Sequence, residues 1–176
     1  MNIRLAQETD LDSILKVIET AFSDEENKVI MNLVQELSRE VTSPSIKSLI
    51  AEVDNQVIGY VSYSPIFLNF DTSISGYILA PLAVSPEHQK QGVGSNLINA
   101  GIDMLTKEGA DVLLVYGDPA YYGRFGFEEE IGRSFVPPYT LQYPFGWTGM
   151  MLNDTLVPEQ PIQFESVSAL SKPDLW

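Results

Sequence analysis

The sequence has no cysteine and a single histidine, His88. The first absence excludes disulfides, thiolate metal sites and a cysteine nucleophile; the second excludes a metal centre built from several imidazoles. Basic residues are scarce: 10 Lys and Arg stand against 24 Asp and Glu, a formal net charge of −14 at pH 7. Such a chain is expected to repel nucleic acid and anionic membranes and to attract cationic molecules such as amines. Solubility or a salty habitat accounts for the same charge. No apolar run approaches the ~20 residues a membrane helix needs. The opening Met1-Asn-Ile-Arg-Leu5 has no basic stretch leading into an apolar core, so no signal peptide is expected and the default location is cytoplasmic. With 44% hydrophobic residues over 176 positions, one domain spanning 1–176 with a substantial core is the simplest organisation.

Periodicity divides the chain. Residues 2–7 alternate as a strand, and Thr9-Asp-Leu-Asp12 reads as a helix start. Leu11, Ile14, Leu15, Ile18, Ala21 and Phe22 follow as one apolar stripe. A second helix is expected over 25–40, with Val29, Leu33, Val34 and Leu37 inward. Strands at 48–53 and 57–65 flank Asp54-Asn55-Gln56, a link suited to a hairpin. After a loop at 69–75, a strand at 77–84 runs into a glycine loop and a helix to about 107, which Gly109 stops. A buried strand at 111–116 and a short helix opened by Asp118-Pro119 and closed by Gly126 come next. In the tail, 147–152 and 162–167 read as strands and 137–146 as a Pro-rich aromatic loop. This order gives an α/β (α+β) fold with a mixed sheet flanked by helices.

The most informative segment is Pro86-Glu-His-Gln-Lys-Gln-Gly-Val-Gly-Ser95. A strand that ends in glycines and opens directly into a helix makes an anion site. Gly92 and Gly94 let a ligand approach the backbone, and the first helical amides have no partners within the helix. A phosphate-bearing ligand is the expectation. The third glycine of a dinucleotide fingerprint is missing at Ser95-Asn96-Leu97, as is the Gly-Lys-Ser/Thr of a Walker loop.

Gln89-Lys90-Gln91-Gly92-Val93-Gly94 resembles the Arg/Gln-x-x-Gly-x-Gly/Ala signature of the GNAT superfamily of acyl-CoA-dependent N-acetyltransferases. Leu82-Ala83-Val84 before it resembles the family's strand segment. Tyr122-Gly-Arg-Phe-Gly126-Phe127 resembles its second signature, and Gly117 to Phe127 is similar to the bacterial YhbS-like subgroup. The motif core is 79–127, with 137–176 as a variable tail. The resemblance implies a mainly antiparallel, splayed sheet of about seven strands and acetyl-CoA as cosubstrate, with no metal. It implies direct acetyl transfer to a primary amine on a small molecule or peptide.

It also implies the site residues. Gln89, Lys90, Gln91, Gly92, Val93, Gly94 and Ser95 would hold the phosphates, and Leu82, Ala83 and Val84 the pantetheine arm. An amide near Val84 would face the developing oxyanion. Tyr122 would protonate the leaving thiolate, as a phenol of pKa ~10 facing a thiol of ~8.5. Asp118, where the family often has Asn, would touch the pantetheine or simply cap its helix. Lys90 also reads as a solvated surface charge, Tyr122 as a core aromatic, Tyr121 as packing and His88 as a surface residue. Glu52 and Asp118 are the candidate bases. A catalytically idle acyl-CoA sensor and a nucleotide-binding regulator are the competing readings; a homodimer through the tail or a sheet edge stays open.

Overall fold

In the computed structural model, which describes residues 1–69 and 73–176, eight strands hydrogen-bond into a sheet whose main path runs β1-β2-β3-β4-β5-β7. These are β1 (Asn2–Leu5), β2 (Lys47–Val53), β3 (Gln56–Leu68), β4 (Gly76–Val84), β5 (Val112–Tyr116), β6 (Phe135–Val136), β7 (Trp147–Met151) and β8 (Ile162–Ser166). The helices are α1 (Leu11–Ala21), α2 (Asp24–Arg39), α3 (Val93–Lys107), α4 (Pro119–Tyr122) and α5 (Glu129–Arg133). Along the main path only β4 and β5 are parallel, as expected for strands joined through a helix. The expected mixed, mainly antiparallel sheet is therefore observed. From the tail, β7 pairs with β5, and β8 pairs with β3 and β6.

Alternation sends successive strand residues to opposite faces. Leu49, Ala51, Val61, Tyr63, Tyr77, Leu79, Leu113 and Val115 pack with α3. Ile50, Tyr60 and Ala83 pack with α1 and with Val34 of α2, while Ile78, Val112 and Leu114 meet α2 and the tail on that same opposite side. The hairpin between β2 and β3 turns through Asp54 and Asn55, both at positive φ, as a two-residue turn requires.

Several expectations shift. A one-turn helix at Glu8–Asp10 precedes α1, because the Asp10 carboxylate takes the Gln7 amide (2.7 Å) and Arg4 (2.7 Å) instead of leaving Thr9 to start the helix. Val29 is 43% exposed, lying outside the Leu33, Val34 and Leu37 stripe at 100° per residue. β3 runs 13 residues, because β8 pairs with its far end beyond the reach of β2. α5 and β6 were not legible in the sequence pattern. Residues 70–72 of the loop expected at 69–75 lie outside the described residues.

Helix α3 approaches the sheet closely at Gly101, where a Cβ would overlap the Tyr63 ring. Tyr63 is fully buried and donates its hydroxyl to the Leu97 carbonyl at 3.1 Å, so it has nowhere to go. Gly101→Ala gains roughly 1 kcal/mol of helix propensity, but overpacking costs about 1–3 kcal/mol and more where the neighbour is fixed. The expected result is a net loss of stability and a Tm lower by several degrees, read by thermal denaturation.

A second clasp holds the start of β5. The Asp111 carboxylate accepts from the Ser75 amide (2.7 Å) and hydroxyl (3.1 Å), from Asn153 (2.6 Å) and from Thr155 (2.6 Å). Burial works to raise its pKa, but these donors outweigh it and hold the carboxyl below the ordinary aspartate value. The stabilisation is therefore complete above the unfolded-state pKa and is lost as pH falls through the lower folded one. Asp111→Asn is expected to be less stable than the parent near neutrality. Its urea midpoint should also fall less steeply on acidification below about pH 4.

Candidate active site

β4 and β5 run side by side only as far as Leu79 and Val115. Beyond that, β5 stays with β7 through the Tyr116–Trp147 pair, while β4 continues with β3 to Val84. The two strands therefore part, leaving one edge of β4 unpaired over residues 80–84 among the described residues. Ser85 donates its amide to the Ile58 carbonyl of β3 at 2.9 Å. Backbone direction alternates along a strand, so Leu82 and Val84 turn their N–H and C=O groups the other way, into the splay. The Gln89 side chain donates to the Val84 carbonyl at 3.0 Å.

The splay opens onto the start of α3. Gly92 caps that helix in the left-handed region (φ 85°), where a side chain is strained, and no side chain caps the amides that follow. The Val93, Gly94 and Ser95 amides have no hydrogen-bond partner among the described residues; the first bond into the helix comes from Asn96 to the Gly92 carbonyl at 2.9 Å. A cleft of about 800 Å³ runs from these amides along β4 to α4, with Leu82, Val84, Gln89, Lys90 and Asp118 among its walls. Lys90 and Arg124, both on this cleft, have no carboxylate within 4.0 Å among the described residues. In a chain this acidic, two unpaired cations beside free helix amides favour an anion.

Helix α4 forms the opposite wall. Asp118 caps it, accepting the Ala120 amide at 2.9 Å, which is the capping role expected as one of its two alternatives. The Tyr121 hydroxyl reaches across to Gly94, where a Cβ would lie 2.7 Å from it. Arg124 stacks over the Tyr121 ring, 4.5 Å from its centre. Tyr122 turns inward: its ring meets Tyr121 and Phe127 edge-on at 5.1 and 5.7 Å and lies over Gly117. Burial, and to a lesser degree Tyr121, push its phenol well above the usual tyrosine pKa.

Of the sequence-derived site residues, Leu82, Val84, Gln89, Lys90, Gly92, Val93, Gly94, Ser95 and Asp118 line this one cleft. Three lie outside its walls. The Ala83 side chain is buried on the α1 side of the sheet, Gln91 turns back to donate to the Glu87 carbonyl (2.8 Å), and Tyr122 packs beneath Tyr121. His88, Tyr121 and Arg124 join the lining although the sequence singled out none of them for it. His88 is held there by Ser85 Oγ, 2.8 Å from its Nδ1. Glu52, a candidate base, is engaged by Asn2 (2.9 Å) and Arg4 (3.2 Å) between β1 and β2, and it lines no part of the cleft.

The family model of the acetyltransferase (GNAT) domain matches residues 2–129, the stretch from β1 into α5 that carries the splay. The chain belongs to the GNAT acetyltransferase family. Its GNAT relatives include Escherichia coli YhbS, an uncharacterized N-acetyltransferase 33% identical over 129 residues, covering 73% of this chain and 74% of that one. YjhQ of the same organism, also an uncharacterized N-acetyltransferase, is 32% identical over 140 residues, or 78% and 75% of the two chains. The crystal structure of E. coli YhbS in complex with CoA matches this GNAT fold with a TM-score of 0.79 at 27% identity, covering 97% of this chain and 92% of that one. A Brucella melitensis GNAT acetyltransferase in complex with acetyl-CoA matches with a TM-score of 0.68 at 26% identity, covering 97% of both chains. These relatives mark the chain as an acyltransferase.

Proposed function

We propose that the protein transfers an acetyl group from acetyl-CoA directly to a primary amine. The observation that carries this reading is the parting of β4 from β5 beside the free amides of α3. An extended arm fits between the strands while its phosphates meet the helix start. The fit is chemical as well as steric: the Val93, Gly94 and Ser95 amides with Lys90 and Arg124 suit a pyrophosphate, and the unpaired edge of β4 suits the amide groups of pantetheine. The two structurally similar GNAT proteins hold CoA and acetyl-CoA, in keeping with this.

In the reaction, the amine nitrogen attacks the thioester carbonyl carbon and the carbon–sulfur bond breaks. An N–H of β4 aimed into the splay is the donor for the developing oxyanion. Tyr122 is the proposed acid: it lies beneath Tyr121, so it gives its phenolic proton to the departing thiolate once the Tyr121 ring moves aside, and it regains one from solvent afterwards. Asp118, exposed at the mouth of the cleft, is the better placed of the two candidate bases to take the proton the amine loses. With no cysteine to carry an acyl group, direct attack needs no covalent enzyme intermediate.

The test is thiol release from acetyl-CoA across a panel of polyamines, aminoglycosides, amino acids and peptides, with the N-acetyl product verified by mass spectrometry. Release with at least one amine, well above the amine-free rate, is expected. Tight acetyl-CoA binding with no release from any amine would favour the idle acyl-CoA sensor instead.

A further inference from the structure

A second cleft, of about 530 Å³, lies on the other side of Asp118, the one residue among those described that lines both. We infer that this cleft is the acceptor site and that it takes a primary amine carried on an apolar aryl or alkyl body, with no carboxylate of its own. The inference rests on the acetyltransferase reading and names its substrate class.

The two clefts differ in charge. The first carries Lys90 and Arg124, whereas among the described residues the charged ones of the second are Asp118 and Asp174. Asp118 uses Oδ1 for the Ala120 amide, and neither aspartate has a cationic partner within 4.0 Å among the described residues. A cationic amine is attracted to a cleft of this charge, and a carboxylate on the same molecule is repelled. Much of the remaining wall is aromatic, from Tyr116, Tyr143, Phe145 and Trp176, with Gln142 beside them. Such rings receive an apolar body and attract a cation over their faces.

The wall is built rather than loose. Tyr143 donates its amide to Tyr116 Oη at 2.8 Å, Gly117 donates to the Gly146 carbonyl at 2.9 Å, and Gly146 donates to the Tyr143 carbonyl at 2.9 Å. Gly146 is required there, since a Cβ would stand 2.8 Å from the Gly117 carbonyl oxygen. Trp176 is fixed by its Nε1–H to the Leu170 carbonyl at 2.8 Å and rests on Trp147. Even so, Tyr143 and Phe145 are 53% and 59% exposed, with ring centres 5.9 Å apart. A pinned loop that holds two aromatic rings in water beside unpaired carboxylates is a surface ready for a cation with an apolar tail.

The probe pair is 2-phenylethylamine and phenylalanine, which share a ring and an amine and differ by a carboxylate. With acetyl-CoA present, 2-phenylethylamine is expected to be acetylated with kcat/KM at least about tenfold above phenylalanine. Phe145→Ala is expected to raise KM for 2-phenylethylamine about tenfold with acetyl-CoA affinity unchanged, and Asp174→Asn to narrow the gap between the two probes. The inference is overturned if acetyl-CoA binds normally while 2-phenylethylamine neither reacts nor binds by calorimetry. It is equally overturned if neither substitution moves KM or the probe ratio. Failure of acetyl-CoA itself to bind would overturn the acetyltransferase reading instead; calorimetric binding of 2-phenylethylamine, lost in Phe145→Ala, would still support the second cleft as an amine site.

Discussion

Gly94→Val is expected to lower acetyl-CoA affinity by roughly 10²- to 10⁴-fold, because it removes roughly two charge-assisted hydrogen bonds of 1.5–3 kcal/mol each while the fold persists. Gly94 lies in the first turn of α3, between two other free amides, and faces the cleft. Even a Cβ there would stand 2.7 Å from Tyr121 Oη, with Val84 and Leu82 side-chain carbons at 3.7 and 3.8 Å. A valine side chain therefore projects into the space a phosphate would occupy and pushes Tyr121 outward. The core under the helix is undisturbed, since Val93, Leu97 and Ile98 point the other way and are buried. Calorimetry with acetyl-CoA, with circular dichroism as the folding control, checks this. An unchanged affinity would remove the helix start from the phosphate site.

The second large effect belongs to Tyr122. Tyr122→Phe is expected to lower kcat by about 10²-fold, the lower part of the range for general acid catalysis, with acetyl-CoA affinity nearly unchanged. The ring keeps its edge-on contacts with Tyr121 and Phe127. Because the raised pKa comes from burial and then Tyr121, with no hydrogen bond contributing, the deletion breaks no internal bond. The raised value also keeps the phenol protonated throughout the working range, so Tyr122 should impose no alkaline decline on kcat below about pH 10. Tyr121→Phe is the contrast. Its hydroxyl lies over Gly94, so it should alter the KM for acetyl-CoA more than kcat. If kcat instead collapses in Tyr121→Phe and survives in Tyr122→Phe, the acid has been assigned to the wrong tyrosine.

What the sequence made legible follows from what it could encode locally. The Gly loop and the strand before it depend on glycines and an apolar run that lie within a few residues of each other. The Asp54-Asn55 hairpin and the Asp118 cap are local for the same reason. The two tyrosines show the limit. Neighbours on a one-turn helix point about 100° apart, and only contact with Gly94 on one side and Gly117 on the other decides which faces the cleft. Arg124 was missed because its place over Tyr121 depends on the turn through Gly123–Phe125. β6 has two residues and exists only through its pairing with β8, far along the chain. The aromatic loop before β7 was visible as composition, but its role as a wall needed Tyr116 and Trp176 brought beside it.

The central claim is that the strand splay and the start of α3 form a site for acetyl-CoA rather than a general phosphate cradle. The most direct test is one set of calorimetric titrations of the parent chain with acetyl-CoA, ATP and NAD. The expected result is saturable binding of acetyl-CoA at one site per chain, with ATP and NAD weaker by at least about tenfold, since neither carries a pantetheine arm for the β4 edge. Equal or tighter binding of ATP or NAD, or no binding of acetyl-CoA, would contradict it.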